Sequence, residues 1–180
     1  MTDRLVTFVR RAVGTVAAGA FVSLCLPAPT ASASIGSNWQ RLSNYNSVKC
    51  LEVAGWSTAD GGAVGQWDCH PGNNQLWWFW NKGGAGDLLY NGHSGKCLEV
   101  ADWSRANGAA VRQWDCHGGA NQQWNWMGTT VDGTDYVVLQ NVHSGKCLEI
   151  ADWRTDDGAP ARQWDCHYGG NQLFFAADAS

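Results

Sequence analysis

The sequence predicts an all-β protein assembled from three copies of one unit, each about four short strands long. Three observations carry that reading: a stretch written three times, period-two alternation broken by turn clusters, and cysteines at one fixed spacing. The copies are "CLEVAGWSTADGGAVGQWDCH" (50–70), "CLEVADWSRANGAAVRQWDCH" (97–117) and "CLEIADWRTDDGAPARQWDCH" (147–167). They align without a gap, and 11 of 21 positions are identical in all three. The likeness runs back through "RLSNYNSVKC", "LLYNGHSGKC" and "VLQNVHSGKC", and forward through "NNQLW", "ANQQW" and "GNQLF". The period is 47 residues and then 50, so the repeats span approximately 39–85, 86–135 and 136–180. Such a period holds several strands, as in propeller blades. Three blades fall below the usual four, so a compact three-fold arrangement is expected instead.

Within a repeat, Lys96–Ala101 and Val111–His117 alternate apolar with polar residues, and Val137–Asn141 is rich in β-branched residues. Clusters of Gly, Asn, Asp and Ser interrupt these runs every 8–12 residues, as turns between strands do. No 12-residue stretch after residue 34 has helical periodicity.

The chain opens like a secretory signal peptide. Arg4, Arg10 and Arg11 precede the apolar run Ala12–Leu26, and Ala31-Ser32-Ala33 is an A-x-A cleavage pattern. The run is too short to span a membrane, which takes about 20 residues. Cleavage after Ala33 is expected, leaving a secreted chain of residues 34–180 with nine basic and 15 acidic residues, a net charge of −6. No basic cluster remains, which argues against nucleic acid and against anionic membrane surfaces.

Cys25 leaves with the signal, and an even six cysteines enter an oxidising compartment. They fall at 50 and 69, 97 and 116, 147 and 166, always 19 apart. Six cysteines allow about 15 connectivities, but identical spacing inside a repeat argues for Cys50–Cys69, Cys97–Cys116 and Cys147–Cys166. A loop of this size contributes about 3 kcal/mol per bridge in the chain-entropy picture.

The pattern of "CLE", "QWDC" and a closing "NQxW" resembles the ricin B-chain-type lectins, over residues 40–176. The resemblance implies a β-trefoil, a six-stranded barrel capped by three hairpins, in a bacterial, secreted, stand-alone form. It also implies a monomeric carbohydrate-binding protein, with up to three shallow sites for galactose- or xylose-type sugars. A sugar offers an apolar C–H face and hydroxyls at fixed angles, so a site needs an aromatic plate and a few polar groups at its edge. By resemblance the hydroxyl acceptors are Glu52, Glu99 and Glu149, and the plates are Trp67, Trp114 and Trp164. His70 with Asn74, His117 with Asn121, and His167 with Asn171 complete the three sites.

Structural readings stand beside these. The plates could be core residues, the glutamates solvated or paired with Arg112 and Arg162, and the histidines plain loop residues. Gln75, Gln122 and Gln172 are expected to tie backbone together, and Trp77, Trp124 and Phe174 to fill the core. Trp56, Trp103 and Trp153 either extend the sugar platform or cover the disulfide. These lectins usually carry Asp where this chain has Glu, and one more methylene moves the carboxylate by about 1.5 Å. Repeat one departs most, with Val48, Gly55 and Gly65 where the others have Gly, Asp and Arg. Repeats two and three are therefore expected to hold the stronger sites.

Other chemistries fit less well. Zinc ligands fall at C-x₂₋₄-C or H-x₃₋₅-H spacings, absent here, and Asp152–Asp157 lacks the glycine of a calcium loop. No metal or cofactor is expected. Carboxylate pairs such as Glu52 and Asp68 exist, but catalysis needs one environment that drives two pKa values apart, not three equivalent ones. The expectation is no enzyme. The rival reading from another class is a disulfide-stapled trefoil that binds a protein partner, such as a hydrolase it inhibits.

Overall fold

The computed structural model describes residues 39–81 and 85–178. The expected signal peptide, residues 1–33, lies outside the described residues.

Among the described residues twelve strands follow one another in three rounds of four. The first round is β1 (Gln40–Asn44), β2 (Cys50–Val53), β3 (Val64–Trp67) and β4 (Trp77–Trp80). The second is β5 (Asp87–Asn91), β6 (Cys97–Val100), β7 (Val111–Trp114) and β8 (Gln123–Val131). The third is β9 (Thr134–Asn141), β10 (Cys147–Ile150), β11 (Ala161–Trp164) and β12 (Phe174–Asp178). The outer strands of each round close a six-membered antiparallel ring in the order β1, β4, β5, β8, β9, β12. The inner strands pair as hairpins β2–β3, β6–β7 and β10–β11. The arrangement is a β-trefoil: a closed barrel, which leaves its strands no free edges, with a triangle of hairpins.

The core repeats with the sequence. Leu42, Leu89 and Leu139 are fully buried, as are Leu51, Leu98 and Leu148. Trp77, Trp124 and Phe174 fill the barrel as expected. Trp77 and Trp124 also donate their indole N–H to the carbonyls of Leu51 and Leu98, at 2.9 and 3.0 Å; an indole N–H buried without a partner would be costly. The three disulfides form with the expected pairing, Cys50–Cys69, Cys97–Cys116 and Cys147–Cys166. Each ties the first strand of a hairpin to the chain just past the second.

The change of period has a local cause. Asp132 and Gly133 both have positive φ and join β8 to β9 in a two-residue turn, the geometry that Asp-Gly favours. This hairpin is longer than its β4–β5 counterpart, which absorbs the three extra residues.

The hairpins grip one another through a glutamine that the sequence reading left without a role. Gln66, Gln113 and Gln163, each just before the cleft Trp, are buried. Gln113 Nε2 donates to the carbonyls of Ser57 and Ala59 in the preceding repeat, at 2.8 and 3.0 Å. Its Oε1 accepts from Ser94 Oγ at 2.6 Å. Gln163 reaches Ser104 and Ala106 in the same way, and Gln66 reaches Arg154 and Asp156, so the contact runs around the triangle.

Candidate functional site

The third residue of the first strand in each hairpin, β2, β6 and β10, is a buried glutamate: Glu52, Glu99 and Glu149. A carboxylate out of water needs partners, since an uncompensated buried charge costs several kcal/mol. In repeat two, Glu99 Oε2 accepts from Asn121 Nδ2 at 3.3 Å and Gln122 Nε2 at 3.2 Å, and lies 3.5 Å from His117 Nε2. Its Oε1 accepts from Arg112 Nε at 3.0 Å. Glu149 repeats the set with Asn171, Gln172, His167 and Arg162 at 3.3, 3.2, 3.3 and 2.8 Å. Glu52 keeps Asn74, Gln75 and His70 at 3.3, 3.1 and 3.4 Å. Where an arginine would follow, it faces Gly65.

Strand register makes the difference. Glu52 stands directly opposite Gly65, Glu99 opposite Arg112 and Glu149 opposite Arg162, and directly opposed residues interact in antiparallel pairs. The alternative that paired these glutamates with arginine holds in repeats two and three. The asparagines are buried behind the glutamates rather than at the surface, and donate also to the carbonyls of Val53, Val100 and Ile150. Gln75, Gln122 and Gln172 tie backbone as expected, spanning from Asp68 O to His70 N in repeat one.

Each histidine is held in one tautomer. His70, His117 and His167 accept at Nδ1 from the backbone N–H of Gly72, Gly119 and Gly169, at 3.0, 3.1 and 3.1 Å. The proton therefore sits on Nε2, aimed at the glutamate. Trp56, Trp103 and Trp153 stack on these rings, with centroids 5.9, 6.0 and 5.9 Å apart. The glycine between them is required: a Cβ on Gly119 would stand 2.7 Å from the Trp103 ring and 2.8 Å from His117. These tryptophans are half exposed, and Trp56 lines the repeat-one cleft.

Their backbone is strained. Trp56, Trp103 and Trp153 have φ of 55°, 54° and 55°, and the residue before each is also left-handed, a region a bulky side chain enters only where tertiary contacts hold it. The contacts come from the following repeat. His93 Nε2 and His143 Nε2 lie 3.1 and 3.0 Å from the carbonyls of Trp56 and Trp103, with their rings edge-on to the indoles. Asn46 Nδ2 donates to Trp153 O at 3.1 Å. These three residues escaped the sequence reading, although the recurring segments before Lys49, Lys96 and Lys146 contain them.

The cleft tryptophans divide. In repeat one, Trp67 is 45% exposed. Between it and Trp56 runs a cleft lined by Glu52, Gly55 and His70. It adjoins a cavity of about 120 Å³ bounded by Ala63, Gly65, Gly158 and Pro160, several times what one water needs. In repeats two and three the guanidinium carbons of Arg112 and Arg162 lie 4.5 and 4.6 Å from the ring centroids of Trp114 and Trp164. Each arginine then reaches an exposed acid at the rim, Asp102 at 3.0 Å and Asp152 at 2.9 Å. Gly65 cannot take an arginine without movement, because a Cβ there would stand 2.6 Å from Ala159 O. Among the described residues no three His, Cys, Asp or Glu side chains converge as metal ligands would.

The last residues of "QWDC" serve the fold. Lys49 pairs with Asp68 and with Asp157 of another repeat, and Lys96 with Asp115 and Asp60. Hydrogen bonds from Asp157 and Asp68 raise the Lys49 pKa, and those from Asp115 and Asp60 raise that of Lys96. The Lys96 ammonium holds the Asp60 carboxyl below its usual value, and Lys146 does the same for Asp165.

The barrel, the hairpin triangle and the repeated Glu–Asn–Gln–His clusters define a lectin-type β-trefoil. The sequence pattern of the family described as "Ricin-type beta-trefoil lectin domain-like" matches residues 30–114, 81–164 and 120–180, and the chain belongs to that family. Its fold is similar to the designed three-fold symmetric protein ThreeFoil, with TM-score 0.73 and 38% identity over 78% of this chain and 98% of that one. It is also similar to 1,3Gal43A, an exo-β-1,3-galactanase from Clostridium thermocellum, with TM-score 0.74 and 30% identity over 79% of this chain and 30% of that one. The Macrolepiota procera ricin B-like lectin, solved with lactose, shares the fold at TM-score 0.68 and 17% identity, over 79% of this chain and 96% of that one. No curated protein matches in sequence.

Proposed function

We propose that this chain is a secreted, non-enzymatic lectin, monomeric after loss of residues 1–33, that binds neutral sugar rings of glycans or polysaccharides. The observation that carries the proposal is the repeat-one cleft: two half-exposed indoles, Trp56 and Trp67, flank a buried carboxylate and a histidine of fixed tautomer. The C–H face of a sugar packs on Trp67, and its hydroxyls point to Glu52 and His70. Asn74 and Gln75 hold that carboxylate in place from behind. The equivalent positions in repeats two and three are Glu99, Trp114, His117 and Asn121, and Glu149, Trp164, His167 and Asn171. The lactose bound by the Macrolepiota lectin and the β-1,3-galactan named for the clostridial enzyme make galactose-containing chains the first ligands to try, with xylans second.

A sugar laid on Trp67 removes on the order of 60 Å² of apolar surface, about 1.5 kcal/mol at 25 cal/mol per Å². A hydrogen bond to a charged acceptor adds about 1.5–3 kcal/mol. After association costs a single site lands near −4 kcal/mol, a millimolar Kd. A glycan array probed with residues 34–180 tests the reading: signal on galactose- or xylose-containing glycans is expected. A blank array, together with tight capture of a hydrolase, would replace the lectin reading by the inhibitor one.

A further inference from the structure

Three clefts share one plan and differ in content. We infer that Arg112 and Arg162 set the number of working sites: each fills the space a sugar ring needs in its own repeat, so only the repeat-one cleft accepts a ligand. The inference rests on the carbohydrate reading above.

A sugar in such a cleft makes two kinds of contact, an apolar face on the indole and hydroxyl donors on the carboxylate. Arg112 already makes both. Its planar cation lies over Trp114, 4.5 Å from the ring centroid, and its Nε donates to Glu99 Oε1 at 3.0 Å. A guanidinium over an indole is a favourable cation–π pair, and its bond to a carboxylate is charge-assisted. The far end is anchored too, since its Nη2 donates to Asp102 Oδ1 at 3.0 Å. The side chain therefore spans the cleft from floor to rim. Arg162 does the same between Glu149, Trp164 and Asp152. A ligand entering either cleft would have to break two ion pairs and strip the cation from a buried carboxylate.

Repeat one lacks both ends of this device. Gly65 stands for the arginine and Gly55 for the rim acid, and the vacated volume is open beside Trp67. The opening is built in, because Gly65 faces Pro160 across the neighbouring hairpin whereas Arg112 faces Ala63 and Arg162 faces Ala110. With a Cβ at 65 only 2.6 Å from Ala159 O, the packing of the triangle itself keeps an arginine out.

The test gives repeats two and three the repeat-one residues. Asp102→Gly/Arg112→Gly and Asp152→Gly/Arg162→Gly are each made in the wild type and in a Trp67→Ala background. Calorimetric titration uses lactose, a β-1,3-galacto-oligosaccharide and a xylo-oligosaccharide, with circular dichroism to confirm folding. Expected are one site per wild-type chain, at least a tenfold loss for Trp67→Ala, and a second site in each double variant that restores binding when Trp67 is gone. Wild-type stoichiometry of two or three, undiminished binding by Trp67→Ala, or folded double variants that gain no site would overturn the inference and leave the lectin reading standing. If one double variant fails to fold, the other decides. A wild type that binds none of these sugars and no glycan on the array defeats both.

Discussion

Repeat one and repeat two align without a gap through the cleft, yet one holds a cavity where the other holds an arginine. The Glu–Asn–Gln–His cluster is the same in both, so it does not decide whether a cleft is open. Two positions do, 55 with 65 against 102 with 112. Positions 55 and 102 lie on the tight turn before the rim tryptophan, and positions 65 and 112 stand directly across the strand pair from the glutamate. Behind them the glutamate, asparagine and glutamine are buried, and the two amides donate to the carboxylate in both repeats. Three copies of the motif thus serve the fold first; on this reading they do not supply three-fold valency, and the avidity that linked sites give is absent.

The largest effect that separates the repeats is on stability. Trp124→Ala in the barrel should cost about 3–5 kcal/mol, as large core truncations do, while Trp67→Ala, half exposed, should leave the Tm within a few degrees. Equal losses on a melting curve would put Trp67 in the core. Next, Arg112→Ala or Arg162→Ala should cost about 1.5–3 kcal/mol, the range for hydrogen bonds to charged groups; the glutamate keeps its three other partners, as Glu52 does. Denaturant unfolding of the two variants checks this, and a negligible cost would mean the arginines are loosely held.

Val48→Gly should act in the opposite direction. Val48 has φ 60° where the other repeats have Gly95 and Gly145, and a β-branched residue there carries about 1–3 kcal/mol of strain. Part of that relief is offset by the greater chain entropy of glycine, so a net gain of about 1 kcal/mol is expected. A loss would assign Val48 a contact worth more than its strain. The smallest effect is pH dependence of the staples between repeats. Lys49 and Lys96 have raised pKa values, so their contribution is complete below the ordinary lysine value and fades as pH climbs through the raised one. Asp60 and Asp165 are lowered, so theirs is present above the ordinary aspartate value and fades as pH falls through the lowered one. A stability plateau at neutral pH with shallow acid and alkaline shoulders is expected, weakened by salt, and EDTA should leave it unchanged.

Much of this was legible in the sequence. Identical Cys spacing gave the disulfides, alternation gave the strands, and the closing NQxW segments placed Trp77, Trp124 and Phe174 in the core. What fills each cleft was not legible, because it depends on what stands across the strands. Arg112 and Arg162 read as residues that complete a site; only the register that sets them opposite Glu99 and Glu149 shows them lying over the indoles. The roles of Trp56, Trp103 and Trp153 needed the fold too, since their supports, His93, His143 and Asn46, come from a different repeat.

All 12 tryptophans lie in the described chain, so indole N–H resonances report on every cleft at once. Titration of the ¹⁵N-labelled domain with the best glycan from the array tests the central claim most directly. The indoles of Trp56 and Trp67 should shift with ligand while those of Trp103, Trp114, Trp153 and Trp164 stay in place. Equal shifts of Trp114 and Trp164 would contradict it.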